Sequence, residues 1–204
     1  MKAKICVLIS GGGTNLQAIL DGVDSGLIKD GEVVLVISSK AGAYGLTRAA
    51  NKNIDNVVIA RKDFESQKAF EDHMADLIEA KGIDLIVLAG YLSILSEGFT
   101  GRFPNKIINI HPSLIPAFCG PGFYGLKVHE AAIQAGVKVS GATVHYVNEV
   151  CDGGQIIDQD VVRVEEGDTP ESLQKRILEN VEHVLLPKVV EDLCKKIVEE
   201  YDEK

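Results

Sequence analysis

The sequence predicts an α/β protein: one domain with a doubly wound, mostly parallel sheet and an antiparallel strand addition late in the chain. Three observations indicate this fold. Apolar runs recur at regular intervals and are almost continuously hydrophobic, as strands covered on both faces must be. Amphipathic helical patterns separate the runs, which is typical of βαβ units. After about residue 140 two strand patterns follow each other without a helix between them.

Five apolar runs in the first half of the chain predict the parallel strands. They are residues 4–9, 33–37, 56–60, 83–90 and 106–110. Helices are predicted between the early runs, where apolar residues recur at helical spacing. These helices cover residues 14–23, 43–52 and 66–80.

The second half predicts two antiparallel strands and a closing helix. Residues 141–147 and 155–164 carry the strand patterns, and a polar loop joins them. Thr169 suits the N-cap of the last helix and Pro170 its first position. Pro187 is expected to kink or split that helix, since proline removes a backbone donor.

Composition limits the class of protein. The 204 residues carry a net charge of −9, which argues against nucleic acid or anionic membrane as partners because both need a basic face. The N-terminal apolar run is too short for a signal peptide, so we expect a cytoplasmic protein. Four scattered cysteines form no C-x-x-C motif, so we expect neither a metal site nor a disulfide scaffold.

A glycine-rich segment follows the first strand and opens a helix, as "SGGGTN". Thr14 and Gln17 have the spacing of a capping box. Leu16 stands where a dinucleotide fingerprint needs glycine, and the lysine of a Walker loop is absent. We therefore expect the backbone N–H groups of Gly12, Gly13, Thr14 and Asn15 to hold one phosphate monoester. The alternative is a tight turn that binds nothing.

Polar side chains end the strand over 106–110 and share one face. Asn109 and His111 are two residues apart, and Pro112 stops the ladder. Asp152 lies in the loop between the late strands, where its carboxylate would favour an imidazolium at His111. Asn109 and charged His111 would then stabilise an oxyanion, as in acyl transfer. A core histidine and a plain loop bend remain the alternatives.

Two further residues near this strand are less specific. His145 and Tyr146 are neighbours on a strand, so one faces the site and the other the core.

No Gly-x-Ser-x-Gly motif is present, and Cys119 and Cys151 have no clear base. The pattern therefore predicts a reaction that proceeds without a covalent bond between enzyme and substrate.

Five segments together resemble the glycinamide ribonucleotide formyltransferases of purine biosynthesis. In chain order they are "LISGGGTNLQAI", "DLIVLAGYLSILS", "INIHPSLIP", "TVHYVNEVCDGGQII" and "ENVEHVLLP". The resemblance covers nearly the whole chain. It implies a Rossmann-like formyltransferase fold, 10-formyltetrahydrofolate as co-substrate, glycinamide ribonucleotide as acceptor, and no metal.

The resemblance also implies residue roles. Asn109 and His111 would stabilise the oxygen of a tetrahedral intermediate, and Asp152 would keep His111 protonated and help to move a proton. The glycine-rich segment and Glu182 would bind the ribonucleotide. The chain would then divide into a phosphate-binding half (1–100) and a catalytic, folate-binding half (101–204). The remaining positions match the folate pocket: Gln67, Leu92, Ser93, Ile94, Leu95, Asn148, Glu149, Val150 and Cys151.

The chain departs from the family pattern at three places. Gln67 and Ser93 stand where relatives carry arginine, and the stretch 117–129 is longer than usual. Lys68 and Lys127 are candidates to replace the missing positive charge.

Other formyltetrahydrofolate-using proteins share part of the pattern. A hydrolase of formyltetrahydrofolate would need an N-terminal regulatory domain before Met1, and methionyl-tRNA formyltransferase an added barrel and RNA. A sugar-nucleotide formyltransferase would not need "SGGGTN". A non-catalytic phosphate sensor is the alternative from a different class. The oligomeric state stays open, and a homodimer is compatible with the sequence.

Overall fold

A computed structural model describes residues 1–203 and contains one seven-stranded sheet with the strand order β3-β2-β1-β4-β5-β6-β7. Strands β1 to β5 are parallel to one another. Strands β6 and β7 continue the sheet in antiparallel pairing, as predicted. The strands are β1 (Ala3–Ile9), β2 (Gly31–Ser38), β3 (Asp55–Val58), β4 (Leu85–Leu88), β5 (Ile107–His111), β6 (Val139–Tyr146) and β7 (Ile156–Arg163).

Helices cover both faces of the sheet and bury one apolar cluster against each face. They are α1 (Thr14–Asp24), α2 (Tyr44–Asn51), α3 (Gln67–Ala80), α4 (Glu97–Thr100), α5 (Leu126–Gln134), α6 (Pro170–Ile177) and α7 (His183–Asp202). Across residues 1–203, no helix is both long and apolar enough to cross a membrane.

The sheet reverses its winding at β1, because β2 lies on one side of it and β4 on the other. In such sheets the loops that leave adjacent strands on opposite sides form a crevice at the carboxyl ends. The glycine-rich segment follows β1, and the segment that begins at Ala89 follows β4. The topology thus brings two of the predicted binding segments to one crevice.

The predicted capping box at Thr14 and Gln17 is wrong. Thr14 is already the first residue of α1, and Gly13 is the N-cap in a left-handed conformation with φ of 68°. Gln17 instead donates to Asp21 and accepts from Arg48 at 2.9 Å. A glycine N-cap has no side chain to offer, so the first backbone donors of α1 are left without side-chain caps.

The predicted split at Pro187 is wrong, because α7 continues through this residue and the irregularity of the closing helix lies before it. Thr169 caps α6 by accepting from the N–H of Ser172, and a π-helical segment, Leu178–Glu182, joins α6 to α7. Pro187 lies inside α7, where it cannot donate to the carbonyl of His183. Glu182 is the last residue of the π segment.

Candidate active site

Antiparallel pairing of β5 with β6 brings two polar side chains face to face. Asn109 lies opposite His145, and His111 lies opposite Thr143. His145 and His111 are buried, with 2% and 5% of their surface exposed. The nitrogen Nδ2 of Asn109 lies 3.2 Å from Nε2 of His145. Of the neighbours His145 and Tyr146, the histidine is therefore the one that contacts Asn109.

The carboxylate of Asp152 lies between both histidines. Its Oδ2 is 3.6 Å from Nδ1 of His111, and its Oδ1 is 3.7 Å from Nε2 of His145. The backbone N–H of Gly120 donates to Oδ2 at 2.8 Å. Asp152 has φ of 55°, in a turn that Gly153 closes by donating to the Val150 carbonyl. The loop after β6 therefore folds back over the strand pair.

The electrostatic surroundings favour the charged form of Asp152. Burial by itself would raise its pKa, but the neighbouring rings of His145 and His111 and the Gly120 N–H act in the opposite direction. Their sum holds the pKa of Asp152 below its ordinary value. A carboxylate that stays ionised beside two imidazoles can orient and hold a protonated ring.

The imidazole of His111 has an oxygen neighbour at each nitrogen. Its Nε2 is 2.9 Å from the carbonyl oxygen of Phe118, and since a carbonyl only accepts, this nitrogen carries hydrogen. Its Nδ1 faces Asp152. The site therefore accommodates an imidazolium. The N–H at Nε2 of His111, which an oxyanion would need as a donor, is instead directed at the Phe118 carbonyl. The sequence did not predict this contact.

The glycine-rich segment turns its carbonyl groups towards α2. The carbonyl of Gly11 accepts from the N–H of Gly45 at 3.1 Å, and that of Gly12 accepts from Nε of Arg48 at 2.9 Å. At Gly13 a Cβ atom would lie 2.7 Å from the Cα of Gly45. The backbone at the start of α1 is thus fixed by close packing, while its first N–H groups have no partner within the helix, a typical arrangement for anion binding.

Asn15 and Glu182 form a buried pair next to that segment. Nδ2 of Asn15 donates to Oε2 of Glu182 at 2.7 Å. Both residues are buried, with 8% and 6% of their surface exposed. Burial raises the pKa of Glu182, and the hydrogen bond from Asn15 offsets part of that rise. The structure therefore joins the two predicted ribonucleotide segments through one hydrogen bond.

The predicted folate segments expose apolar side chains. Leu92, Ile94 and Val150 are 57%, 67% and 56% exposed, although they are large and hydrophobic. Leu95 instead packs into the core at 5% exposure, so only its backbone is available to a ligand. Asn148 accepts from the N–H of Val150 and shapes the second segment. Such exposed apolar side chains are typical of surfaces that bind rings.

Gln67 is held by a cation that sequence reasoning missed. Its Oε1 accepts from Nε of Arg61 at 3.0 Å, while its Nε2 donates to Glu71 and, at 3.3 Å, to the carbonyl of Ile94. The ammonium groups of the two lysine candidates are directed elsewhere: Lys68 pairs with Asp72, and that of Lys127 lies 4.7 Å from the Tyr124 ring centre. Arg61 therefore supplies a positive charge beside Gln67.

A cleft of about 610 Å³ adjoins the segment after β4. Lys40, Arg61 and Lys62 line it, against the single carboxylate of Asp63. Leu92 and Ser93 form part of the same lining. A cleft with excess positive charge next to an apolar surface suits a ligand that has a ring at one end and carboxylates at the other.

Known proteins share this fold and much of this sequence. The family model described as formyl transferase matches residues 3–190. The phosphoribosylglycinamide formyltransferase of Haemophilus influenzae is 45% identical over 187 residues, which cover 92% of this chain and 85% of that protein. The chloroplastic enzyme of that name from Arabidopsis thaliana is 39% identical over 196 residues, 96% of this chain and 66% of that protein. The Gallus gallus trifunctional purine biosynthetic protein adenosine-3 is 42% identical, but this chain covers only 18% of it.

Solved structures agree with the sequence relatives. Glycinamide ribonucleotide transformylase 1 from Symbiobacterium toebii superimposes with a TM-score of 0.89 at 45% identity, covering 96% of this chain and 89% of that chain. Phosphoribosylglycinamide formyltransferase from Bacillus halodurans has a TM-score of 0.87 at 38% identity, covering 95% and 96% of the two chains. The predicted fold and enzyme class are confirmed. This chain belongs to the formyl transferase family, alongside the phosphoribosylglycinamide formyltransferases of purine biosynthesis.

Proposed function

We propose that the chain transfers the formyl group of 10-formyltetrahydrofolate to the free amine of glycinamide ribonucleotide, within a single domain over 1–204 in the cytoplasm. The amine nitrogen forms a bond to the formyl carbon, and the C=O electron pair moves onto oxygen. A proton then passes from that nitrogen to N10 of the folate, the C–N10 bond breaks, and the carbonyl re-forms. The observation that carries this proposal is Asp152 between His111 and His145, beside Asn109.

Asn109 and His111 stabilise the oxyanion in this proposal. One amide hydrogen of Asn109 is directed at His145, and the other is free for the intermediate. His111 donates once its Nε2 leaves the Phe118 carbonyl, so the segment around Phe118 shifts when substrates bind. Asp152 balances the imidazolium and moves the proton through water.

The ribonucleotide lies at the start of α1. Backbone N–H groups of Gly12, Gly13, Thr14 and Asn15 hold its phosphate, which needs no basic side chain there. Glu182 accepts from a ribonucleotide hydroxyl while Asn15 keeps its carboxylate in place. The proposal is supported by the turned carbonyls of the loop and by the buried Asn15–Glu182 pair.

The folate co-substrate occupies the segments after β4 and β6. Exposed Leu92, Ile94 and Val150 contact its rings, and backbone groups of Ser93, Leu95, Asn148, Glu149 and Cys151 read the pterin. Arg61, with Lys40 and Lys62 in the same cleft, meets the carboxylates of the glutamyl tail. Gln67 contributes by holding Arg61 and the Ile94 carbonyl together.

A formyl-transfer assay tests the proposal. Purified protein is incubated with 10-formyltetrahydrofolate, with and without glycinamide ribonucleotide, and both tetrahydrofolate and the formylated ribonucleotide are quantified. We expect product only when the amine is present. Release of formate without the amine would instead indicate a hydrolase, and binding of the ribonucleotide without turnover would indicate a phosphate sensor.

A further inference from the structure

His145 lies next to two residues of the proposed catalytic group, Asn109 and Asp152. The sequence assigned no role to it. It lies on β6 directly opposite Asn109, and its ring is 2% exposed. Its Nδ1 is 2.8 Å from the carbonyl oxygen of Tyr146. Its Nε2 is 3.2 Å from Nδ2 of Asn109 and 3.7 Å from Oδ1 of Asp152.

The carbonyl contact determines which ring nitrogen carries hydrogen in the neutral ring. A backbone carbonyl can only accept, so Nδ1 of His145 is the donor to Tyr146. In a neutral imidazole the other nitrogen, Nε2, then has a lone pair. The amide nitrogen of Asn109 is a donor, and its distance of 3.2 Å fits a hydrogen bond to that lone pair.

We propose that His145 is a positioning residue for formyl transfer: as a neutral acceptor on β6 it fixes the amide of Asn109 so that its second N–H points at the oxyanion. The inference rests on the proposed function for its catalytic consequence. Without the acceptor, the Asn109 amide is free to turn about its last side-chain bond, and its oxygen can replace its nitrogen at the site. An oxygen there repels an oxyanion, so orientation determines whether Asn109 helps or hinders.

Protonation of His145 works against this role. A second proton on Nε2 converts the nitrogen from acceptor to donor, and Oδ1 of Asp152 is the charged acceptor within reach, at 3.7 Å. The carboxylate that balances His111 through Oδ2 would then be shared with a second cation. The proposed role of His145 therefore requires Nε2 to carry no hydrogen, so that it can accept from Asn109.

The experiment compares four variants with the wild type in the formyl-transfer assay: His145→Ala, His145→Gln, Asn109→Ala and the double variant His145→Ala/Asn109→Ala. Losing one oxyanion donor costs on the order of 10²–10³-fold in kcat. We expect His145→Ala to lower kcat by about that factor with little change in either KM. We expect the double variant to be no slower than Asn109→Ala alone, because both changes remove the same interaction. Losses that multiply in the double variant would overturn the proposal.

The glutamine variant separates positioning from bulk. A glutamine oxygen can accept from Asn109 but does not titrate, so we expect His145→Gln to recover at least tenfold of the activity that alanine loses. An equal loss of kcat in His145→Ala and His145→Gln, with unchanged thermal unfolding, contradicts the inference.

A spectroscopic readout is independent of activity. Nitrogen-15 NMR of the His145 ring in the wild type should show hydrogen on Nδ1 and a lone pair on Nε2 at neutral pH. The opposite tautomer, or a doubly protonated ring, would refute the inference even if formyl transfer proceeds. If the assay shows no transfer while the NMR result holds, the proposed function fails and the hydrogen-bond arrangement of His145 stands.

Discussion

Asn15 on α1 donates a hydrogen bond of 2.7 Å to the buried carboxylate of Glu182, which lies 167 residues later in the chain. This bond joins the helix that follows the glycine-rich segment to the π segment before α7. Burial raises the pKa of Glu182 although Asn15 donates to it. A π segment that buries a carboxylate is costly for folding, which is typical of functional positions.

Replacing Glu182 with glutamine tests that cost. A carboxyl group with a raised pKa binds more protons in the folded state, so it removes stability as pH rises from its unfolded value, about 4.3, towards its folded value. We expect Glu182→Gln to unfold at a higher temperature than the wild type at pH 7, because glutamine keeps an acceptor for Asn15 without the charge. The advantage should shrink below pH 4.

The same substitution should weaken ribonucleotide binding. Calorimetric titration with glycinamide ribonucleotide measures this, and Glu179→Gln, at an exposed position on the same segment, is the matched control. A Glu182→Gln protein that is less stable than the wild type at pH 7 would contradict the argument from burial.

Gly13 should be intolerant of a side chain. A Cβ atom there would lie 2.7 Å from the Cα of Gly45, at a residue with φ of 68°. We expect Gly13→Ala to lower the free energy of unfolding by about 1–3 kcal/mol and to weaken phosphate binding, since the loop must shift. Denaturant unfolding and phosphate competition measure both effects.

Gly12 is the matched control for that experiment, because a Cβ at Gly12 has no heavy atom within 4 Å. Gly12→Ala should leave stability nearly unchanged. Similar losses in the two variants would show that packing against Gly45 is not the cause.

Arg61 should contribute to folate affinity. It is bonded to Gln67 and lines the basic cleft, whereas Lys68 is 84% exposed and pairs with Asp72. We expect Arg61→Gln to raise the KM for 10-formyltetrahydrofolate several-fold with little change in kcat, and more strongly at low ionic strength. Lys68→Gln serves as the control, and an equal effect there would exclude a specific role for Arg61.

Asp152 should contribute both to the free energy of unfolding at neutral pH and to kcat. Its lowered pKa means that the folded state holds the charged form, so its contribution to stability is complete above the unfolded value, about 3.9, and is lost as pH falls through the lower folded value. We expect Asp152→Asn to be less stable than the wild type at pH 7, with a difference that narrows below pH 4. We also expect kcat to fall by at least 10²-fold, while phosphate binding is kept. Urea titrations at both pH values measure the stability difference, and a constant difference would contradict the linkage.

The backbone around Phe118 should move during turnover. The Phe118 carbonyl occupies Nε2 of His111, and the Gly120 N–H is bonded to Asp152 at 2.8 Å. We expect the amide signal of Gly120 to shift in NMR spectra when both substrate sites are filled with unreactive analogues, because His111 must turn its donor to the intermediate. The amide of Gly136, which follows α5 and donates to the Ile133 carbonyl, is the internal reference. A Gly120 signal that stays in place would show that His111 acts without releasing Phe118.

The sequence by itself determined the strands, most helices and the identity of the main polar groups. Near-continuous apolar runs are typical of strands buried on both faces, and two-residue spacing puts Asn109 and His111 on one side of such a strand. Thr169 as an N-cap and the antiparallel pair after residue 140 follow from equally local signals.

Only the tertiary structure decided the partners of those groups. The register of β5 on β6 selected His145 for Asn109, and close packing between Gly13 and Gly45 replaced the capping box expected at Thr14. Local propensity describes a residue and its near neighbours in the chain, whereas strand register and helix packing set contacts between residues tens of positions apart.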